Sequence, residues 1–67
     1  MLLGNNLHDI RKSKNMTMLQ LAKKSGVSHT TISSIENDIK IPKLTTALEI
    51  CKVLHSSIDE LFFERKF

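Results

Sequence analysis

Apolar residues recur along this chain at intervals of three and four, which is the spacing of one face of an α-helix. β-Branched and polar residues do not alternate over any useful length, so we do not expect strands. The pattern predicts five helices, the first over about residues 6–14, the fourth over about residues 44–54 and a short last one after Ser57. The expected fold class is therefore all-α.

Residues with special conformational preferences mark where the predicted helices begin and end. Thr17, Ser28 and Ser57 are suited to cap helix N-termini, because a short side-chain oxygen can accept a hydrogen bond from a first-turn amide. Gly26 ends the second helix, since glycine takes the left-handed conformation at no steric cost. Pro42 places a loop between the third and fourth helices.

The inward faces of these helices define an expected hydrophobic core. Leu3, Leu7 and Ile10 give the first helix its apolar face, and Phe62 completes the core at the other end of the chain. The remaining members follow the same helical spacing. The predicted core is Leu7, Ile10, Leu21, Ala22, Val27, Ile32, Ile35, Leu44, Ala47 or Leu48, Cys51, Leu54, Ile58 and Leu61.

Length and composition restrict the class of protein. The 67 residues suit one small domain, residues 1–67, whose core supplies only about 3–5 kcal/mol of net stability, so self-association is the expected extra stabiliser. The single Cys51 cannot form an internal disulfide, and Cys and His are not spaced as zinc ligands, so neither metal nor cofactor is expected. The apolar start, Met1-Leu2-Leu3, is too short for a signal peptide or a membrane span, which favours a cytoplasmic protein without a membrane partner.

Basic residues concentrate in the first part of the chain. Residues 1–43 hold seven Lys or Arg and three acidic residues, whereas residues 44–67 hold three Lys or Arg and four acidic residues. A basic segment suits a polyanionic partner such as nucleic acid. An ordinary solvated surface is the alternative interpretation of the charge alone.

The second and third predicted helices have the spacing of a helix-turn-helix. Ala22 is small where the helices cross, Gly26 makes the turn, and Val27, Ile32 and Ile35 hold the second helix of the pair against the core. A generic antiparallel helix pair is the alternative. The residues that then face outward are small and polar: Ser28, His29, Thr30, Ser33 and Ser34.

These features resemble the lambda-repressor-like, or xenobiotic-response-element (XRE), family of helix-turn-helix regulators. The resemblance covers about residues 6–62 and is carried by the pair Ile10-Arg11, the block LAKKSGVSHTTISSIE, Pro42 six residues after Glu36, and LHSSIDELF. It implies a compact five-helix domain that binds double-stranded DNA sequence-specifically, usually as a homodimer on an inverted repeat.

The resemblance also implies roles for individual residues. Bases would be read by His29, Thr30 and Ser34 at the start of the recognition helix and one turn later. An ion pair between Arg11 and Glu36 would tie the first helix to the end of the third. Contacts to the DNA backbone would come from Ser28, Thr31, Ser33, Asn37, Lys40, Lys43 and Met18.

Three positions depart from the family pattern. Met18 replaces a glutamine that contacts a phosphate, and Leu19 replaces a common acid, so the start of the second helix is unusually apolar. Met18 either covers the protein surface or contacts thymine methyl groups or a partner. Asp38 replaces a preferred glycine, and its charge near the phosphate path should lower affinity for DNA.

The C-terminal tail, residues 63–67, carries two of the three aromatic residues of the chain. Exposed aromatic residues on a small protein suggest a partner surface. We expect a two-fold homodimer whose interface contains Leu61, Phe63 and Phe67. Such a dimer would place its recognition helices about 34 Å apart, one turn of DNA.

The function expected from the sequence is therefore that of a DNA-binding transcriptional regulator, specifically a repressor, of prokaryotic or phage type. An antitoxin or anti-repressor whose main partner is another protein is the alternative, with Met18, Leu19 and the tail as contacts. No nucleophile–base constellation or phosphate loop is present at useful spacing, so no enzyme activity is expected. Cys51 is interpreted as a core residue, and His8 and His55 as surface residues.

Overall fold

The computed structural model of the protein describes residues 2–65 and contains five helices and two short strands. Four helices surround a core that the fifth closes, and the strands join the two ends of the described chain. In chain order the elements are β1 (Leu2–Asn5), α1 (Leu7–Ser13), α2 (Met18–Ser25), α3 (His29–Glu36), α4 (Leu44–Leu54), α5 (Ile58–Leu61) and β2 (Phe62–Arg65).

The predicted helix caps are confirmed. The hydroxyl of Thr17 accepts a hydrogen bond from the Gln20 amide, while the Gln20 side chain accepts one from the Thr17 amide. Ser57 and Glu60 form the same reciprocal capping box before α5. Gly26 ends α2 at a φ of +76°, a conformation that other residues adopt only with strain. These local signals fix where each helix starts and stops.

The expectation that the chain has no strands is wrong at its two ends. β1 pairs antiparallel with β2, so that Gly4 lies opposite Phe63 and Asn5 opposite Phe62. Leu3 therefore belongs to a strand and not to the apolar face of α1. Strands of four residues are too short to show alternation, and their pairing partner lies at the other end of the sequence, so periodicity could not reveal them.

The core matches the prediction in α1, α2, α3 and α5 but only in part in α4, where Ala47, Cys51 and Leu54 are buried. Leu44 and Leu48 are exposed, and Ile50, which was not predicted, is completely buried. The helical spacing of the sequence fits two adjacent faces of α4, one containing Leu44 and Leu48 and the other containing Ala47 and Ile50. In the structure α4 packs against α2 with Ala47 and Ile50 buried. Ile10, Ala22, Val27 and Ile58 are partly buried against the core. The buried apolar residues are Leu7, Leu21, Ile32, Ile35, Ala47, Ile50, Cys51, Leu54, Leu61 and Phe62.

Candidate nucleic-acid interface

The turn between α2 and α3 is held by backbone and side-chain hydrogen bonds. The Gly26 amide donates to the Ala22 carbonyl at 2.9 Å. The buried Ser25 hydroxyl donates to the Leu21 carbonyl at 2.7 Å and accepts from the Val27 amide at 3.2 Å. Ser25 therefore fixes the direction in which the chain leaves α2, a role that its sequence position did not reveal, because a serine before glycine is common in any turn.

Helix α3 lies with its apolar face on the core and its polar face outward. Ile32 and Ile35 are buried, whereas His29 and Thr30 at the N-terminal end are exposed. Ser34, one turn further along, is partly exposed. The three predicted base-reading side chains thus occupy the side of α3 that faces away from the core.

A cleft of about 330 Å³ lies beside the N-terminus of α3. Four of the predicted backbone-contacting residues line it, namely Ser28, Thr31, Lys40 and Lys43, together with Glu49 of α4. The Ser28 hydroxyl donates to Thr31 Oγ1 at 2.8 Å and accepts from the Thr31 amide at 3.2 Å. The cleft is therefore lined by two lysines and by two residues with hydroxyl groups at a helix N-terminus, a combination that favours a phosphate group.

Two other predicted backbone-contacting residues lie further along α3. The Asn37 Nδ2 donates to the Ser33 carbonyl at 2.8 Å and lies 3.4 Å from the Ser33 hydroxyl. Both residues are near the C-terminal end of the helix and do not line the cleft. The structure thus separates Ser33 and Asn37 from the cluster formed by Ser28, Thr31 and the lysines.

Met18 begins α2 and is partly buried against the core. It lines a second cleft, of about 540 Å³, with Arg11, Lys12, Asn15, Met16 and Thr17. The neighbouring Leu19 is exposed. Of the two apolar residues at the start of α2, only Leu19 is left largely uncovered by the protein.

Arg11 and Glu36 form a buried, bidentate ion pair. Arg11 Nε lies 2.7 Å from Glu36 Oε2, and Arg11 Nη2 lies 3.1 Å from Glu36 Oε1. Each side chain is only 6% exposed. Arg11 Nη1 also donates to the Met16 carbonyl at 2.7 Å, and the exposed His8 contributes Nδ1 at 3.2 Å from Glu36 Oε1. This network connects α1, the loop before α2 and the last residue of α3.

Asn5 provides a second support for α3 that sequence reasoning missed. Its Nδ2 donates to the Ile35 carbonyl at 2.9 Å and to Asp38 Oδ1 at 3.3 Å, and its Oδ1 accepts from the Leu7 amide at 3.1 Å. Asp38 adopts a left-handed φ of +59°. The hydrogen bond to Ile35 spans 30 residues, so no local signal could have predicted it.

The predicted interface residues of the C-terminal end fall in different environments. Leu61 is completely buried in the core of the single chain, so its side chain offers no exposed surface to a second copy. Phe63 is exposed on β2. Phe67 lies outside the described residues.

Residues 2–65 also show how the potential metal ligands and the cysteine are placed. This part of the chain contains no group of three His, Cys, Asp or Glu residues placed to hold a metal ion. Burial raises the pKa of the Cys51 thiol, and the Glu60 carboxylate raises it further, so at neutral pH the side chain is a neutral thiol. None of the helices described is long and apolar enough to cross a bilayer.

Comparison with known proteins assigns this architecture to a family. The Helix-turn-helix family model HTH_3 matches residues 7–61. The HTH-type transcriptional regulators PuuR of Escherichia coli K12 and of Shigella flexneri are each 34% identical over 61 residues, which is 91% of this chain and 33% of each relative. The chain thus spans about a third of the length of these relatives.

A solved structure shares the fold. The crystal structure of a candidate DNA-binding protein from Bacteroides fragilis superimposes with a TM-score of 0.82 at 22% identity, covering 92% of this chain and 100% of that one. At this level of identity the likeness concerns the fold. The family match over residues 7–61 shows that the chain belongs to the lambda-repressor-like (XRE) helix-turn-helix family of DNA-binding transcriptional regulators.

Proposed function

We propose that the protein is a sequence-specific repressor that binds an inverted-repeat operator in double-stranded DNA as a homodimer. The observation that carries this proposal is the cleft at the N-terminus of α3, where Lys40 and Lys43 meet the hydroxyls of Ser28 and Thr31. Beside it, the exposed His29 and the neighbouring Thr30 extend from the same helix end. One surface therefore offers cations for phosphates next to side chains able to read bases.

His29, Thr30 and Ser34 supply the base contacts in this proposal. An α-helix fits the major groove of B-DNA, where base edges present distinct patterns of donors and acceptors. The imidazole of His29 can donate to guanine N7 or O6, and Thr30 can offer its hydroxyl to a base or its methyl group to thymine. Ser34 lies four residues after Thr30, so it follows the same side of α3 into the groove.

The cleft supplies the contacts that position the protein on DNA. Lysines neutralise phosphates and release counterions, which gives affinity without sequence information. Ser28, the N-cap of α3, lines the cleft, and the dipole of a helix favours an anion near its N-terminus. Glu49 of α4 also lines the cleft, so two lysines are present there with one carboxylate.

The usual geometry of helix-turn-helix recognition supports the homodimer in this proposal. Two copies related by a two-fold axis read two half-sites about one helical turn apart, which produces an inverted repeat. A dimer that covers an operator blocks access of polymerase to the promoter, and this is the simplest regulatory effect of a small DNA-binding unit.

Replacing Lys40 or Lys43 with alanine is expected to weaken binding to all duplexes alike. Each substitution removes one phosphate contact, so the slope of log K against log salt should decrease by about 1 in magnitude. Fluorescence anisotropy with a labelled duplex at several salt concentrations measures both quantities. Lys52→Ala is the matched control, because Lys52 is an exposed lysine of α4 that does not line the cleft.

The comparison among these lysines decides the assignment. An unchanged salt slope for Lys40→Ala and Lys43→Ala, or an equal change for Lys52→Ala, would show that the cleft does not hold a phosphate.

A second candidate is a module whose main partner is another protein, as in antitoxins and anti-repressors. The observation that favours it is the exposed Leu19 at the start of α2, where an apolar side chain gains nothing from a phosphate. The two candidates differ in one measurable property: only the first requires a preferred DNA sequence.

A further inference from the structure

Exposed apolar side chains concentrate on one segment of the described chain. Four of the six large apolar residues that are exposed among residues 4–64, the part of the chain whose burial is described, lie between the end of α3 and the middle of α4. We call them the isoleucine–leucine surface: Ile39 is 78% exposed, Ile41 66%, Leu44 69% and Leu48 45%. Solvent-facing isoleucine and leucine at this density mark a binding surface, because each would be replaced by a polar residue at no cost to the core.

The isoleucine–leucine surface is distinct from the cleft that the same segment helps to form. Lys40, Pro42, Lys43, Thr45 and Thr46 line the cleft, and none of the four apolar residues does. The segment therefore contributes Lys40, Lys43 and two threonines to the cleft, whereas its four exposed apolar residues lie outside the cleft lining. A DNA backbone bound in the cleft would leave these four residues exposed, because none of them lines the cleft.

The extent of this surface matches what a protein–protein contact requires. A fully exposed Ile or Leu presents about 200 Å², so the four residues present about 500 Å², roughly a tenth of the total 4621 Å². Standard interfaces bury about 800 Å² per partner, about a tenth of the surface of a small protein. Two copies meeting through this surface would thus bury about 1,000 Å² from these residues alone, and the side chains around them would add the remainder.

We propose that the isoleucine–leucine surface is the contact through which two copies of this chain associate. In a two-fold dimer the same patch serves both partners, so an apolar surface meets an identical apolar surface and no other partner is needed. Its position beside the cleft places a second copy next to the first along the DNA. The inference rests on the proposed function for this last point, and it moves the interface away from Leu61 and the C-terminal tail.

Sedimentation equilibrium without DNA tests this interface. The variant Leu44→Gln/Leu48→Gln keeps side-chain size and helix propensity at two exposed positions, so it should melt as the wild type does by far-UV circular dichroism. We expect the wild type to form dimers and this variant to raise the dimer dissociation constant by about a hundredfold or more. Ile39→Thr/Ile41→Thr tests the other half of the surface in the same way.

Two control variants identify the surface responsible. Leu19→Gln changes a comparably exposed leucine on α2, and Phe63→Thr changes the exposed aromatic residue of β2. Dimers that both controls retain and that Leu44→Gln/Leu48→Gln abolishes support the proposal. A wild type that stays monomeric to about 1 mM, dimers that persist in Leu44→Gln/Leu48→Gln, or dimers that Phe63→Thr abolishes overturn it. Because no DNA is present, these outcomes are independent of whether the protein reads a DNA sequence.

Discussion

Replacing Arg11 or Glu36 with alanine is expected to lower the free energy of unfolding by about 3–5 kcal/mol, because either change leaves the other charge buried without its partner. Both side chains are 6% exposed, so water cannot compensate for the missing partner. Replacing Arg11 also removes the donor to the Met16 carbonyl. Since so small a core supplies only about 3–5 kcal/mol in total, each variant should be largely unfolded at 25 °C. Urea denaturation followed by circular dichroism measures the effect.

His8→Ala is the matched control for the ion pair. His8 contacts the same Glu36 oxygen at 3.2 Å, but its side chain is 60% exposed, so its removal should cost less than about 1 kcal/mol. The double variant Arg11→Met/Glu36→Leu removes both charges and should be more stable than either alanine variant. Single variants that unfold at the urea concentration of the wild type would show that the pair does not hold α3 in place.

Alanine at His29 or Thr30 is expected to reduce discrimination between the preferred operator and random DNA by about 1–3 kcal/mol, because each substitution removes a side chain that reads a base. Both side chains are exposed, so the fold should survive and the effect should be confined to binding. Ser34→Ala should act in the same direction. Competition titrations with the preferred and the random duplex, carried out at one salt concentration, give this difference directly.

Lys40→Ala separates base reading from backbone binding in the same titrations. Its affinity should decrease equally on the preferred and the random duplex, because a phosphate contact is independent of sequence. Equal decreases on both duplexes for His29→Ala and Thr30→Ala as well would mean that these residues do not read bases.

The parts of this fold that could be predicted from sequence are those set by neighbours in the chain. The Thr17 and Ser57 capping boxes and the left-handed Gly26 each depend on residues within one helical turn, so the helix boundaries followed from local chemistry. The outward face of α3 followed in the same way, once Ile32 and Ile35 were assigned to the core.

The parts that could not be predicted depend on distant partners. β1 pairs with β2 from the opposite end of the described chain, and Asn5 reaches the Ile35 carbonyl across 30 residues. In α4, two adjacent faces had helical spacing, and the helix that packs against it decided that Ile50 is buried and Leu48 exposed. The exposure of Leu48 matters for the proposed dimer interface, because Leu48 belongs to the isoleucine–leucine surface.

The candidate site contains residues that are neighbours in the chain and residues that only the fold brings together. Ser28 and Thr31 belong to the start of α3, whereas Lys40 and Lys43 belong to the loop that follows it. The sequence assigned all four to the DNA backbone by family resemblance, and the structure brings them around one cleft. In contrast, Ser33 and Asn37 lie away from it, where the Asn37 amide is hydrogen-bonded to the Ser33 carbonyl.

Selection of binding sites from random duplex DNA tests the central claim most directly. The wild-type protein is incubated with a randomised duplex pool, bound molecules are recovered and amplified over several rounds, and the recovered sequences are aligned. The proposed function predicts a palindromic consensus with half-sites about one helical turn apart, centre to centre. Recovered sequences without enrichment over the starting pool would contradict it and favour the protein-interaction module.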